Sequence, residues 1–125
     1  MRLAATVAIL TILNAGLAAG SALAAGDPKE GEKVYAKCRA CHSMDAGKNG
    51  VGPSLHGVFG RKSGTLEKFA FSKAMTEKAV VWDDKTIAAY MADPKGYIPG
   101  NKMIFPGLKK ASEVENLLAF MKSAK

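Results

Sequence analysis

The chain has 125 residues, 48% of them hydrophobic, with a formal net charge of +7 and two cysteines. This length allows one domain at most, and two cysteines close one bridge at most, so a multidomain enzyme, a polytopic membrane protein and a disulfide scaffold are excluded. Eighteen of the first 25 residues are hydrophobic, and the other hundred carry seventeen lysines and arginines against eleven acids. Those hundred residues are therefore basic and lean in core material, and an apolar cofactor would help to stabilise them.

Residues 1–25 have the organisation of an export signal. Arg2 supplies a positive start, Leu3–Leu17 is an uncharged apolar core, and Ala22-Leu23-Ala24 has the small-x-small form that signal peptidase cuts. We expect cleavage after Ala24 or Ala25, which makes residues 26–125 the functional domain. The alternative is an uncleaved membrane anchor, since the uncharged stretch is nearly long enough to span a bilayer. Because the domain is exported, its basic charge is a poor argument for binding nucleic acid.

Start signals predict helices at three places in the domain. Asp27 followed by Pro28 predicts a helix that runs from about Pro28 into Cys38–Cys41, and Glu30 completes a capping-box pattern. Asp83 predicts a second helix, which must end by about residue 93 because a proline follows. Ser112 and Glu115 are spaced as a second capping box that opens a last helix.

The stretches between these helices are interrupted by glycine and proline. Six glycines between residues 47 and 64 predict loops, with a short helix near residues 72–78, and the prolines and glycines of residues 99–107 predict another long loop. No stretch has the alternation of a strand, so the predicted fold is all-α with large loops. The last helix should be buried along one stripe, formed by Val114, Leu117, Leu118 and Met121.

The chemistry of the chain is concentrated in Cys38-Arg39-Ala40-Cys41-His42. Cysteines three residues apart on a helical turn can both form thioethers with one haem, and the next residue can bring an imidazole nitrogen to the iron. The alternatives are a thioredoxin-type dithiol, half of a zinc site and a local disulfide. A redox dithiol is expected beside strands, and no strand is predicted here. A structural zinc needs four ligands, and His56 is the one further candidate after Cys38, Cys41 and His42. Covalent haem attachment is therefore the favoured interpretation.

The second iron ligand is predicted to be Met103. This residue lies in a loop bounded by proline and glycine, sixty-one positions after His42, with apolar neighbours that would exclude water. Met44 is too close to His42 to reach the other side of the haem, and the methionines in helical segments are explained by packing. His56 is interpreted as a loop imidazole. Because a thioether favours ferrous iron, His/Met ligation raises the reduction potential relative to two nitrogen ligands.

Several separated motifs follow one another in a fixed order along residues 26–125. They are Cys38-Arg39-Ala40-Cys41-His42, Gly52–Gly57, Phe59–Gly64, Trp82, Asp93–Lys95 and Tyr97–Met103. In this order they resemble the class I cytochromes c of mitochondria and of the periplasm of purple and related bacteria. The resemblance implies a small single-domain fold of helices and long loops wrapped around one covalently bound haem c. It also implies that Gly31 and Tyr35 cross the last helix at Leu117 and Phe120.

The resemblance assigns roles to residues around the haem. The Pro53 carbonyl would accept a hydrogen bond from His42, which fixes the imidazole and raises its basicity. Arg61 and Trp82 would serve a buried haem propionate. The full set that the resemblance places around the haem is Cys38, Cys41, His42, Met103, Pro53, Arg61, Trp82, Tyr90 and Asn101.

Tyr90 and Asn101 would lie near the sulfur of Met103, again by resemblance. Two positions depart from the mitochondrial pattern, because Phe71 stands where those proteins have a tyrosine and Met75 where they have an asparagine. The first change removes a propionate donor, and the second removes a residue that helps to hold a buried water. Both make the pocket less polar, but they act on the reduction potential in separate ways, so no absolute potential is predicted.

The expected function is outer-sphere electron transfer, in which both axial positions stay filled and no substrate is transformed, so no enzyme is expected. The expected partners are acidic-faced redox proteins: a cytochrome bc complex, a terminal oxidase, a photosynthetic reaction centre or a periplasmic dehydrogenase. We expect a periplasmic monomer that meets the membrane only through such partners. Basic residues should form the docking face. They are Lys37, Lys95, Lys102, Lys109 and Lys110.

Two other functions are consistent with these residues. The first is a haem enzyme or gas-binding protein in which Met103 is displaceable, and a high-spin ferric spectrum would indicate it. The second is a haem subunit tightly docked to a dehydrogenase or oxidase, which size-exclusion of a native extract would distinguish from a free carrier.

Overall fold

The computed structural model of the protein describes residues 25–124, so residues 1–24 of the predicted signal peptide lie outside the described range. Five helices occur in chain order: α1 (Pro28–Tyr35), α2 (Lys73–Lys78), α3 (Asp84–Ala92), α4 (Pro94–Tyr97) and α5 (Ala111–Ser123). Residues 25–124 contain no strand beyond an isolated antiparallel bridge between Lys62 and Val81. The prediction of an all-α fold with large loops is confirmed. None of the helices in residues 25–124 has the length and apolar character of a membrane-spanning segment.

Helix α1 begins where the sequence predicts, but its first turn is held differently. The Asp27 side chain accepts hydrogen bonds from the backbone N–H groups of Lys29 and Glu30, as an N-cap should. The Asp27 N–H donates to Asn116 Oδ1 on α5 at 2.8 Å, and Glu30 pairs with Lys33 instead of completing a capping box. A contact with α5 thus takes the place of the local motif.

The prediction that α1 continues into Cys38–Cys41 is wrong. The helix ends at Tyr35, and the Cys38 N–H donates to the Tyr35 carbonyl at 2.8 Å. This i to i−3 bond tightens the chain into turns. The N–H groups of Cys41 and His42 then both donate to the Cys38 carbonyl, at 3.0 and 2.9 Å. The attachment motif therefore lies in a hydrogen-bonded turn after the helix.

Helices α3 and α4 share one residue between them. Asp83 caps α3 in a complete capping box with Thr86. The helix ends at Ala92, as the following proline requires. Asp93 is the C-cap of α3 and also the N-cap of α4, where its side chain accepts the Gly96 N–H at 3.0 Å. The sequence did not predict α4, which interrupts the expected loop.

Helix α5 begins two residues earlier than a capping box at Ser112 would place it. Its N-cap is Lys110, which makes no capping hydrogen bond through its side chain, so the box at Ser112 and Glu115 is wrong. The predicted buried stripe is confirmed. It consists of Val114, Leu117, Leu118 and Met121.

The frame of the domain is the crossing of α1 over α5. Gly31 lies so close to the Asn116 carbonyl and to Phe120 that a Cβ at Gly31 would overlap them, and the Tyr35 and Phe120 rings pack with centroids 5.0 Å apart. Leu117 at this crossing is only 1% exposed. Truncating such a leucine to alanine destabilises a fold by about 2–5 kcal/mol. Helix α3 packs against the same α5, and the loops surround the remaining space.

Candidate functional site

A cavity of about 580 Å³ lies among the loops, α3 and the turn that follows α1. Its size is within the range of small-molecule and cofactor sites. Eight of the nine predicted site residues line it: Cys38, Cys41, His42, Pro53, Arg61, Trp82, Tyr90 and Met103. The ninth, Asn101, contacts Met103 and Tyr90 instead of the cavity. The fold therefore collects residues spread over 66 positions of the sequence around one space.

The His42 ring is fixed in one tautomer. Its Nδ1 lies 2.7 Å from the Pro53 carbonyl oxygen, which can only accept a hydrogen bond. Nδ1 therefore carries the proton, and Nε2 keeps a free lone pair. Burial lowers the pKa of His42, opposed by the hydrogen bond to Pro53, so the neutral ring dominates near pH 7. A neutral imidazole with one nitrogen held by a carbonyl is the usual form of a metal ligand.

The backbone of His42 is also held. The Tyr35 hydroxyl donates to the His42 carbonyl at 3.2 Å, and the His42 N–H donates to Cys38. Gly52 lies against the flat side of the ring, where a Cβ would overlap the ring atoms. Its N–H donates to the Cys41 carbonyl at 2.8 Å. Only glycine at residue 52 leaves room for the imidazole.

The two cysteines are half-buried free thiols on the wall of the same cavity. Burial and the neighbouring Cys41 raise the pKa of the Cys38 thiol. A catalytic dithiol needs the opposite shift. Residues 25–124 also hold no group of three or more His, Cys, Asp or Glu side chains that could bind a metal ion. These observations count against the dithiol and zinc interpretations, whereas thioether attachment uses the thiols where they lie.

Met103 is oriented by Asn101 and Tyr90. The Met103 N–H donates to Asn101 Oδ1 at 2.9 Å, and the Asn101 amide nitrogen donates to the carbonyls of Pro94 and Ile98 at 2.9 and 2.8 Å. The Tyr90 hydroxyl lies 3.2 Å from Asn101 Oδ1 and 3.9 Å from the Met103 sulfur. Burial raises the pKa of Tyr90 to about 12, so its hydroxyl keeps its proton and can donate at neutral pH.

Arg61 and Trp82 line another part of the wall. The Arg61 guanidinium donates to the carbonyls of Ser54 and His56, and burial lowers its pKa. Arginine nevertheless stays charged in proteins, so it brings a positive charge to a mostly apolar cavity. The Trp82 and Tyr90 rings pack with centroids 5.3 Å apart.

The sequence did not identify the serines that hold the cavity loops. Ser72 lines the cavity and caps α2, where its hydroxyl accepts the Met75 N–H at 3.1 Å. Ser63 is 1% exposed, donates to the Met75 carbonyl and accepts the Val80 N–H, both at 3.0 Å. The N-cap preference of serine was the one signal for Ser72. The role of Ser63 depends on tertiary contacts that have no sequence pattern.

The predicted docking lysines are partly engaged within the protein. Lys37 and Lys102 line the cavity, but Lys37 pairs with Glu113 at 3.4 Å and Lys102 donates to the Ala70 carbonyl at 3.2 Å. Lys109 donates to the Ala92 carbonyl at the end of α3 and to the Pro106 carbonyl in the loop after α4. Their charges remain at the surface, since Lys37, Lys102 and Lys109 are all exposed.

A helical domain with two thiols, a neutral imidazole and a thioether around one apolar cavity has the fold and chemistry of a single-haem electron-transfer protein. The sequence profile of the Cytochrome c family matches residues 28–125. The chain is 55% identical to cytochrome c2 iso-2 of Magnetospirillum fulvum over 90 residues, 72% of this chain and 94% of that protein. It is 47% identical to cytochrome c of Nigella damascena over 102 residues, 80% and 92% of the two chains.

Among solved structures, cytochrome cH from Methylobacterium extorquens is similar, with a TM-score of 0.73 and 42% identity over 78% of this chain and 99% of that one. The chain belongs to the cytochrome c family, as a class I member. It binds one covalent haem c, for which Cys38 and Cys41 fit the attachment motif, and it is an electron carrier and not an enzyme.

Proposed function

We propose that this protein is a periplasmic one-electron carrier whose haem is ligated by His42 and Met103. The observation that carries the proposal is that both side chains line one cavity with Cys38 and Cys41, although sixty-one residues separate them in sequence. The bound haem supplies the one-electron ferric–ferrous couple. His42 offers a free Nε2, and the Pro53 carbonyl prevents its ring from turning.

The Met103 side supplies the softer ligand. A thioether stabilises ferrous iron, so Met103 holds the reduction potential above that of a protein with two nitrogen ligands. The Tyr90 hydroxyl, 3.9 Å from the sulfur, holds the thioether in one orientation together with the Asn101 amide. Because both ligands are oriented by the protein beforehand, little rearrangement opposes electron transfer.

Apolar side chains form most of the cavity wall and would keep water away from a bound haem. Phe69 and Phe71 pack edge to face with centroids 4.8 Å apart, and both line the cavity beside Met75. Arg61 and Trp82 are the residues we assign to a buried propionate, since the guanidinium is the cation on this wall. Burying a carboxylate in a dry pocket is costly, and the positive charge of Arg61 offsets part of that cost.

The proposed periplasmic location depends on residues 1–25, which have the charge, apolar core and small-x-small cleavage site of an export signal. Cleavage after Ala24 or Ala25 would release the haem domain. The relatives named cytochrome c2 come from bacteria, which is consistent with export to that compartment.

Docking onto acidic redox proteins is proposed to occur at the open side of the cavity. Ile104 and Val51, which are 97% and 81% exposed, line the cavity there together with Lys37 and Lys102. An apolar contact ringed by cations suits brief, salt-sensitive association with an acidic partner. The proposed partners are a cytochrome bc complex, a terminal oxidase, a reaction centre or a periplasmic dehydrogenase, and the proposed carrier is a monomer.

The proposal is tested by comparing Met103→Ala with Met75→Ala, because both methionines line the cavity. Met103→Ala should abolish the far-red sulfur-to-iron band of the ferric protein, lower its reduction potential and allow binding of cyanide or carbon monoxide. Met75→Ala should keep the band. A Met103→Ala protein with an unchanged spectrum and potential would show that another residue is the ligand.

A further inference from the structure

The peptide group between Pro53 and Ser54 is hydrogen-bonded on both of its sides. Its carbonyl, on Pro53, accepts the Nδ1–H of His42 at 2.7 Å. Its N–H, on Ser54, donates to the side-chain oxygen of Asn49 at 2.9 Å. Since a peptide group is one planar, conjugated unit, Asn49 lies at the outer end of a continuous chain of hydrogen bonds that reaches the His42 ring.

Other contacts fix the position of this peptide group. Ser54 is 1% exposed, and its hydroxyl donates to the Asp45 carbonyl at 2.6 Å. The Ser54 carbonyl accepts a hydrogen bond from Arg61 at 3.0 Å. These contacts hold the segment in place without Asn49. The Asn49 oxygen is therefore expected to act mainly through its hydrogen bond with the Ser54 N–H, and not by fixing the segment.

We propose that Asn49 is a positioning residue that tunes His42 as an iron ligand. Hydrogen bonds in a chain polarise one another. An acceptor on the Ser54 N–H makes the Pro53 carbonyl a better acceptor, which strengthens its bond to Nδ1–H and raises the basicity of Nε2. A more basic ligand stabilises ferric iron, so Asn49 lowers the reduction potential. This inference depends on the proposed ligation by His42.

Asn49 also has a second contact, which the test must separate from the first. Its amide nitrogen donates to the Lys68 carbonyl at 3.3 Å, in the loop that leads to Phe69 on the cavity wall. Lys68 has a φ of 59°, the left-handed region that lysine rarely adopts. Loss of this contact would loosen residues 62–69, here called the covering loop, without changing the Pro53–Ser54 peptide group.

The test compares Asn49→Leu with Thr65→Val in the ferrous holoprotein. Thr65→Val is the matched control, since it removes a hydrogen bond from the Thr65 hydroxyl to the Lys62 carbonyl in the same covering loop. Two quantities are measured: the proton chemical shift of His42 Nδ1–H and the reduction potential. Asn49→Leu should move the Nδ1–H resonance upfield and raise the potential, whereas Thr65→Val should change neither.

The expected shift in the ferrous-to-ferric ratio at a fixed potential is a few-fold. This effect is smaller than the roughly 10-fold loss of metal affinity or activity that is the lower end for mutating a direct hydrogen-bond partner of a metal ligand. Asn49→Asp gives the Ser54 N–H a carboxylate oxygen, a stronger acceptor than the amide oxygen, and cannot donate to Lys68, so it should move Nδ1–H downfield. This proton shift separates the hydrogen-bond effect from the added charge, whose effect on the potential high salt would screen.

Two results would overturn the role of Asn49. One is an Nδ1–H resonance that stays in place in Asn49→Leu, and the other is an equal displacement in Thr65→Val, which would assign the effect to a loosened loop. The wild-type spectrum tests the underlying ligation separately. If the His42 ring protons of the wild type lack the strong shifts of a haem ligand, the proposed function fails, whatever the variants show.

Discussion

The two segments that bring His42 and Met103 to the cavity are held very differently. The histidine segment, residues 36–58, fixes His42 at three points: its ring bonds to Pro53, its carbonyl accepts from Tyr35, and its N–H donates to Cys38. His42 also directly follows Cys41, so thioether attachment of the haem would hold it a fourth time. His42, as the proposed ligand, could not leave without disrupting the turn that carries the attachment motif.

The methionine segment, residues 98–110, contains no regular secondary structure. Met103 has one backbone hydrogen bond, to Asn101, and its sulfur has one polar neighbour, Tyr90. The next residue, Ile104, is 97% exposed. Ile98 and Leu108 are buried, but no residue between them is, and stretches with few buried contacts open locally at low free energy. We therefore expect the Met103 side to open first and the His42 side to remain, and the following variants test this difference.

The largest effect is expected from the double variant Cys38→Ala, Cys41→Ala. It removes both thioethers and with them the attachment beside His42. Because the domain is lean in core residues and encloses a cavity of about 580 Å³, the haem should be poorly retained and the chain largely unfolded by circular dichroism. A stable apoprotein with native helix content would contradict this expectation.

Two glycine variants compare the segments directly. Gly52→Ala places a methyl group against the His42 ring, whereas Gly107→Ala, at a φ of 101°, places one against the Ala92 carbonyl at the base of the methionine segment. Each should destabilise the fold by about 1–3 kcal/mol through overpacking or backbone strain. In denaturant titrations of the holoprotein, only Gly107→Ala should release the sulfur-to-iron band before the helices unfold. Early loss of the band in Gly52→Ala alone would reverse the comparison.

A smaller effect is expected from charge reversal beside the methionine segment. Lys95 lies on α4, which leads into that segment. Lys85→Glu is the control, because it reverses the same charge on α3. Lys122 is unsuitable as a control because it pairs with Asp84. Lys95→Glu should slow electron transfer to an acidic partner by a factor of about two to ten at low ionic strength. Above physiological salt, where the Debye length is below roughly 8 Å, its rate should approach that of the wild type.

The Lys95→Glu midpoint potential should stay nearly constant. Equal slowing by Lys85→Glu at low salt would mean that net charge matters and its position does not. In that case the docking face would have to be abandoned.

The smallest effects are expected from removing the tyrosine hydroxyl that contacts His42 or the one that lies near Met103. Tyr35→Phe loses the bond to the His42 carbonyl, and Tyr90→Phe loses the donor near Met103. Each should lower the free energy of unfolding by about 1 kcal/mol. Only Tyr90→Phe should change the rate at which imidazole displaces the methionine, as followed by stopped-flow absorbance. Equal rates in the two variants would show that Tyr90 does not control the opening of this side.

The sequence predicts the chemistry of this protein better than its loops. The Cys38–His42 motif, the Asp83 cap and the buried stripe of α5 are local patterns, and each appears in the structure at its predicted place. The end of α1 was mispredicted because the turn at Cys38 uses i to i−3 bonds that favour no particular residue type.

Other features depend on contacts between distant residues. Helix α4 has only four residues, too few for a periodic pattern, and depends on Asp93 acting as a cap for two helices. Asn49 and Ser63 hold loops through bonds to residues 5 to 19 positions away. Such bonds have no sequence signature, because the donor and acceptor meet only after the loops have folded.

Ligation of one haem by His42 and Met103 is tested most directly by proton NMR of the ferrous holoprotein. A methionine bound through sulfur to low-spin iron lies over the haem ring, whose current shifts its methyl resonance far upfield. We expect one such methyl in the wild type, retained in Met75→Ala and absent in Met103→Ala. A wild-type spectrum in which every methionine methyl lies in the ordinary range, or in which the upfield methyl survives Met103→Ala, would contradict the proposed ligation.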